Sequence, residues 1–253
     1  MGRHRCAPGE VMAVSDTERF KREAAIAALE RVRSGMRVGL GSGSTAAHLT
    51  RELGRRLATG ELRDVAGVPT SEATAALARE VGVPLAELTA DGLDVAIDGM
   101  DEVDPRLDAI KGLGGALTRE KIVAAAAREF VLIGDQGKRV TRLGERTPVP
   151  VEVLAFGWPR TAALLRALGC DPRLRYAGDG PRVTDNGQLL LDCHLPAEAT
   201  DESVRAFAAA VDAVPGVLAH GLFLGLTART YLAGPDGVEV LLTPAAAVGD
   251  VPA

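Results

Sequence analysis

The residues able to do chemistry fall in three glycine-rich segments. Gly39-Leu40-Gly41-Ser42-Gly43-Ser44-Thr45 lies at a strand-to-helix turn, where backbone N–H groups and the positive helix end would cradle a phosphate. It is not a dinucleotide fingerprint, because Ser44 occupies the place of the third glycine and no acid is evident at the end of the next strand. Nor does the Gly-Lys-Ser/Thr of a nucleoside triphosphate loop follow. The alternative is a tight turn that needs only its glycines. Asp98-Gly99-Met100-Asp101-Glu102 comes after the buried run Val95-Ala96-Ile97, and ligands of open parallel sheets bind at such carboxyl ends. Its spacing does not suit calcium, which leaves a solvated turn or a carboxylate fixed by the turn at Gly99. Lys111-Gly112-Leu113-Gly114-Gly115 puts a charge at a strand end and glycines before a helix, so N–H groups could face an oxyanion. Glu120, in the first turn of that helix, could be a base or could only favour the helix dipole.

Lysine usage sharpens the choice. Of 29 lysines and arginines only Lys21, Lys111, Lys121 and Lys138 are lysine, leaving 25 arginines. Where arginine is the default cation, a retained lysine points to a task for a compact ammonium. Lys138 follows a strand ending at Asp135, again at a carboxyl edge, while Lys121 reads as a surface or ion-pairing residue. His4, His48, His194 and His220 are scattered without ligand spacing and read as packing or surface residues. With no zinc, calcium or magnesium pattern the site is expected to use neither metal nor cofactor. No G-x-S-x-G elbow supports serine hydrolysis.

The elements that must hold these residues follow from apolar periodicity. Helices are predicted over residues 17–32, 46–57, 71–80 and 118–129, alternating with strands at 36–40, 65–69, 95–97, 108–111 and 130–133. Such alternation implies a parallel sheet with helices on both faces. From residue 149 the order becomes strand (149–154), helix (160–168), a hairpin turning at Asp185-Asn186-Gly187, helix (201–214) and strand (216–222), the split βαβ pattern. The fold class is therefore α/β: a Rossmann-like unit, residues 15–147 and 223–245, with a smaller ferredoxin-like α+β unit inserted at 148–222. A last hairpin turns at Pro235-Asp236-Gly237 and is expected to rejoin the first unit, and residues 1–14 and 246–253 read as disordered tails.

Composition excludes other classes. A net charge of -5 offers no basic field for nucleic acid or an anionic membrane, so an anionic ligand needs a local cluster. Apolar runs are far shorter than the ~20 residues of a membrane helix. Cys6, Cys170 and Cys193 lack a C-x-x-C spacing, which fits free thiols in a reducing cytoplasm.

Five segments in order, GLGSGSTAAHL (39–49), AIDGMDEVD (96–104), IKGLGGALTREKIVA (110–124), PVPVEV (148–153) and VTDNGQLLLD (183–192), resemble the type A ribose-5-phosphate isomerase family. The likeness runs from about Phe20 to Leu242. It implies an aldose-ketose isomerase of the non-oxidative pentose phosphate pathway, a homo-oligomer (dimer or tetramer) with a small sugar phosphate as partner. By the same resemblance Ser42, Gly43, Ser44 and Thr45 match the substrate-binding loop, Asp98, Gly99, Met100 and Asp101 the acidic motif, and Lys111, Gly112, Leu113 and Gly114 the lysine-glycine motif. Glu120 matches the general base, Lys138 a substrate-binding lysine and Lys21 a first-helix lysine that reaches the phosphate. Asp98, Asp101 and Lys111 are implied in catalysis with Glu120. Departures from the family's pattern are Ser42 for threonine, Met100 for alanine and Leu113 for glycine. A sugar-phosphate-sensing regulatory module of the same fold is the alternative, but the stretch before the first strand is too short for a helix-turn-helix unit. Acyl-CoA transfer would need a CoA site that is not evident.

Overall fold

The computed structural model describes residues 8–243. In chain order the elements are α1 (Pro8–Leu29), β1 (Arg37–Leu40), α2 (Ser44–Ala58), β2 (Ala66–Pro69), α3 (Glu72–Glu80), β3 (Leu93–Gly99), β4 (Glu102–Val103), β5 (Ala109–Ile110), α4 (Leu117–Ala126) and β6 (Ala127–Asp135). After a 3-10 turn at Gln136–Lys138 follow β7 (Val149–Val153), α5 (Trp158–Ala167), β8 (Asp171–Leu174), β9 (Tyr176–Ala177), β10 (Gly180–Pro181), β11 (Leu189–His194), α6 (Asp201–Asp212), β12 (Val217–His220), β13 (Leu222–Phe223), β14 (Arg229–Gly234) and β15 (Gly237–Leu242).

Six strands form one sheet in the order β15-β14-β6-β3-β1-β2. All neighbours are parallel except the hairpin β14–β15, so β1, β3 and β6 end on the same edge. Strand alternation sorts the core into two faces. Val38, Leu40, Val95, Ile97, Val131 and Ile133 pack under α1 and α2, while Ala96, Phe130 and Leu132 meet Val123 and Ala124 of α4. A second, antiparallel sheet has the order β12-β7-β11-β8, the ferredoxin-like arrangement. Val149, Val151, Val153, Leu191 and Cys193 bury against Leu165 of α5 and Phe207 and Val211 of α6.

Several elements differ from their sequence-based limits. α1 starts at Pro8, inside the segment expected to be a tail; proline suits a first helical position because its missing N–H would find no partner there. Residues 1–7 and the tail at 246–253 lie outside the described residues. The fourth helix stops at Ala126 instead of residue 129, and β6 takes over. Parallel pairing of Ala127 and Glu129 with Leu93 and Val95 overrides the helix preference of the alanines, and Glu129 is anchored by Arg31 and Arg229 at 3.1 Å each. The predicted strand at 108–111 shrinks to β5, in a three-stranded antiparallel sheet (β13-β5-β4) apart from the parallel one. The predicted strand 216–222 is split because Gly221 N–H donates to Pro150 O (2.7 Å) while Gly221 O accepts from Lys111 N–H (2.9 Å), two partners on different sheets. The turn at Asp185-Asn186-Gly187 is present, closed by Gly187 N–H to Thr184 O, and a further small hairpin, β9–β10, precedes it.

Candidate active site

At the edge where β1 ends, the chain turns through Gly41, Ser42 and Gly43 into α2. Gly43 is the residue before the helix, with φ 93° and ψ 179°, and no side chain caps the first turn. That backbone region is essentially reserved for glycine, and the uncapped N–H groups face outward. Gly41 lies against Asp98: a Cβ there would stand 2.2 Å from Asp98 Oδ1. The same oxygen accepts from Ser42 N–H (3.0 Å) and Gly99 N–H (2.7 Å), so one carboxylate oxygen ties the loop to β3. The Ser42 hydroxyl turns to Thr70 Oγ1 (2.7 Å) and Ser71 Oγ (2.8 Å). Thr70 and Thr74 in turn donate to Leu40 O and Gly41 O at 3.0 Å, bracing the loop from behind.

The chemistry concentrates around Lys111, only 2% exposed. Its Nζ is 2.5 Å from Gly99 O, 3.0 Å from Asp98 Oδ2 and 3.3 Å from Glu120 Oε2. Distance alone makes both acids ion-pair partners. Alignment does not: neither Asp98 Oδ2 nor Glu120 Oε2 accepts a hydrogen bond in the described structure. Burial pushes the Glu120 carboxyl up to about 8, against the pull of Lys111 and with the help of the Asp98 and Asp101 charges. Burial also raises Asp98, again against Lys111. For Lys111 burial opposes the charge, but Asp98 and Glu120 outweigh it and hold the ammonium above its ordinary value. A buried ammonium therefore stands within 3.3 Å of two buried carboxyl groups, Asp98 and Glu120.

A cavity of about 200 Å³ opens on this cluster, below the ~300–1,000 Å³ usual for drug-sized ligands and suited to a compact molecule. Ser42, Gly43, Ser44 and Thr45 form one wall; Gly99, Met100 and Asp101 another; Lys111, Gly112, Gly114 and Glu120 the floor; Lys21 and Lys138 the rim. Two expected residues are not in the lining. Asp98 lies behind Lys111, sealed by Gly41 and Gly99, and Leu113 points outward at 38% exposure. The bulk expected from Leu113 thus falls outside the cavity. Met100 stays in the lining but is largely buried, its Cε and Sδ lying over Gly134. At the rim Lys21 is paired with Glu18 (2.7 Å), which His48 also meets (3.2 Å).

Sequence reasoning missed the groups that hold this site in place. The hydroxyls of Thr70, Ser71 and Thr74 carry no signal beyond the N-cap pattern of Ser71 before α3. Glu152 of β7, fully buried, accepts from Thr118 at the start of α4, from Thr184 (2.5 Å) and from Asn186 (3.1 Å). Arg119 reaches Asn186 Oδ1 at 2.9 Å. Lys121, expected as a surface or ion-pairing residue, is half-buried. Its Nζ lies 3.2 Å from His220 Nδ1 and 5.3 Å from the centre of the Phe223 ring, and burial lowers it to about 8. His220 is buried as a packing residue, its Nδ1 accepting from Leu222 N–H.

Comparison with known proteins gives one answer. Residues 66–237 match the family described as ribose 5-phosphate isomerase A (phosphoriboisomerase A). The ribose-5-phosphate isomerase A of Roseiflexus castenholzii is 54% identical over 231 residues, 90% of this chain and 97% of that protein. That of Deinococcus radiodurans is 49% identical over 226 residues, 89% and 99%. Among solved structures, a D-ribose-5-phosphate isomerase in complex with phospho-erythronic acid superposes with a TM-score of 0.84 at 37% identity, covering 89% of this chain and 99% of that one. The ribose 5-phosphate isomerase of Plasmodium falciparum gives 0.85 at 33% identity, with 90% and 99% covered. The regulatory alternative finds no support among these relatives. Carrying the glycine loops and the Lys111 cluster on the same fold, the chain belongs to the ribose 5-phosphate isomerase A family, which interconverts ribose 5-phosphate and ribulose 5-phosphate.

Proposed function

We propose that Glu120 is the base that moves a proton between C2 and C1 of the open-chain pentose 5-phosphate. The observation that carries this reading is the buried Glu120 carboxyl lining the cavity, its Oε2 3.3 Å from the Lys111 ammonium. Raised to about 8, the carboxyl is matched to proton transfer near neutral pH. In the forward direction Glu120 takes the C2 proton as the C1 carbonyl oxygen gains charge, giving an enediolate. The same carboxyl returns the proton to C1, and the O2 hydroxyl proton passes to O1. Lys111 and the N–H groups of its glycine turn face the developing oxyanion, where one well-placed donor is typically worth ~3 kcal/mol. Asp101, in the cavity wall, serves the hydroxyl protons and ring opening. Asp98, sealed from the cavity, orients Lys111 and the Gly41–Ser42 backbone instead.

The N-terminus of α2, with Ser44 and Thr45, takes the phosphate, assisted by Lys21 and Lys138 at the rim. Phosphate binding then orients the distant reacting carbons. The phospho-erythronic acid bound by the solved relative fits this reading, because a planar carboxylate and a phosphate reproduce the two charged ends of an enediolate 5-phosphate. Nothing in the scheme requires a metal or cofactor. The reading includes a homo-oligomer in the cytoplasm; the buried free thiols of Cys170 and Cys193 suit a reducing compartment, and light scattering measures the assembly.

Turnover of ribose 5-phosphate by wild type and Glu120→Gln, with and without a chelator, tests the assignment. The variant should lose at least the ~10²-fold general-base contribution, and chelation should change neither rate. Retention of more than about a tenth of kcat in Glu120→Gln removes Glu120 from the role.

A further inference from the structure

The four-stranded sheet supplies no residue to the cavity lining, yet two arginines from the segment between its strands β8 and β11 reach three consecutive carbonyls of the turn between Lys111 and α4. Arg175, in the link from β8 to β9, donates from Nη1 to Gly112 O (3.1 Å) and Leu113 O (2.9 Å). Arg182 Nη2 donates to Gly114 O at 2.6 Å. The other side of the Arg175 guanidinium is occupied by Asp192 of β11, which receives Nε (2.9 Å) and Nη2. Both partners are largely buried, with side chains 12% and 19% exposed. This is a two-point pairing, and it fixes the plane of the guanidinium as well as its position.

The peptide unit carrying Gly112 O also carries the Leu113 N–H. In a planar trans peptide these two groups point in opposite directions. The Leu113 N–H, pointing away from Arg175, donates to Asp101 Oδ2 at 3.0 Å. A continuous chain of bonds therefore runs from Asp192 through Arg175 and one peptide plane to a carboxylate in the cavity wall. Donation by a charged group to one end of a peptide strengthens the donor at its other end.

We infer that Arg175 is a positioning residue for the isomerisation: held by Asp192, it sets the Gly112–Leu113 peptide so that its N–H fixes the Asp101 carboxylate against the substrate. The inference rests on the assignment of the cavity to proton transfer. Lysine could not replace it, since one ammonium lacks the fork that grips a carboxylate and a pair of carbonyls at once.

The test uses the full-length enzyme with ribose 5-phosphate and the variants Arg175→Ala, Arg175→Lys, Asp192→Asn and the Arg175→Ala/Asp192→Asn double. Arg175→Ala should lower kcat by about tenfold or more, as expected for a misplacement below ~1 Å, with KM within about threefold. Added guanidinium ion should restore part of the kcat of Arg175→Ala and none of that of Arg175→Lys. Asp192→Asn should move kcat in the same direction, and the double variant should be no worse than Arg175→Ala, because both act through one contact. A kcat within about twofold of wild type in both Arg175 variants overturns the inference. So does a loss that follows Tm and is indifferent to guanidinium. If Arg175→Ala does not fold, Arg175→Lys and Asp192→Asn carry the same kcat criterion. Controls separate the two levels: an active Glu120→Gln breaks the proton-transfer assignment, whereas an inactive Glu120→Gln with fully active Arg175 variants breaks only the positioning role.

Discussion

Two glycine-rich turns face each other across the cavity and are built in opposite ways. Gly41–Thr45 leaves the end of β1, belongs to the parallel sheet, and is braced by neighbouring hydroxyls and by Asp98. Lys111–Gly115 leaves the two-residue strand β5, lies off that sheet, and is gripped through its carbonyls by arginines more than 60 residues later in the chain. The first turn presents backbone N–H groups at a helix end and suits a fixed charge such as a phosphate. The second presents a buried ammonium beside the buried carboxyl of Glu120 and suits charge that moves. On the proposed reading binding and chemistry are divided between the turns, and substitutions in each should separate KM from kcat.

After loss of the proposed base Glu120, the largest effect expected is that of Lys111→Arg. The guanidinium is planar and needs more room than the space between Asp98, Glu120 and Gly99 O allows, so kcat should fall by ~10²-fold. A near-normal kcat with a raised KM would move Lys111 to the binding side of the division.

The glycines of the first turn test the boundary from the other side. Gly41→Ala would drive its Cβ into Asp98 and so disturb Lys111; kcat should drop by about tenfold or more although the residue lies in the binding turn. Gly43→Ala meets open space but forces alanine into a backbone region that costs ~1–3 kcal/mol. Its effect should be a KM raised by roughly tenfold with kcat nearly unchanged, read in the same steady-state assay. Equal effects of the two substitutions on kcat would erase the distinction between the turns.

The smallest effect concerns stability. Burial raises the Glu120 carboxyl from 4.5 to about 8, so between these values the folded protein holds a proton that the unfolded chain has released. This contribution to stability is fully present below 4.5 and is lost as pH rises through about 8. Glu120→Gln does not titrate. Its Tm relative to wild type should therefore climb with pH across that window, by roughly 10 °C, and a pH-independent difference would show that the carboxyl titrates at its ordinary value.

The first turn was legible in the sequence because strand, loop and helix are contiguous, so local pattern alone places Ser44 and Thr45 at a helix start. Lys111 stood out through the scarcity of lysine and the glycines after it, whereas Glu120 was singled out only by the resemblance to the family. What escaped depends on contacts distant in the chain. Asp98 is sealed only because Gly41, 57 residues earlier, carries no side chain, and the Ser42 hydroxyl turns inward only because Thr70 and Ser71 wait there. The start of β6 at Ala127 was hidden for the same reason, since alanines read as helix until β3 pairs with them. Arg175 and Arg182 are two among 25 arginines, and nothing local sets them apart.

The placement of β14 beside β6 has a kinetic consequence. Val131 and Arg229 are sheet neighbours although 98 positions separate them (229 minus 131), a loop closure that a flexible chain would make slowly. The intervening four-stranded sheet shortens that search. β7 and β12 lie side by side, with His220 opposite Val151, so once this sheet has formed only about 20 residues before it and about 10 after it remain to be spanned. Folding the insertion first lowers the closure entropy by about 1 kcal/mol and leaves the parallel sheet to be completed last. The arginine grip on the Lys111 turn is also available only after that order of events. On dilution from denaturant, isomerase activity should return after the far-ultraviolet circular dichroism signal has largely recovered; simultaneous recovery would mean that both sheets assemble in a single step.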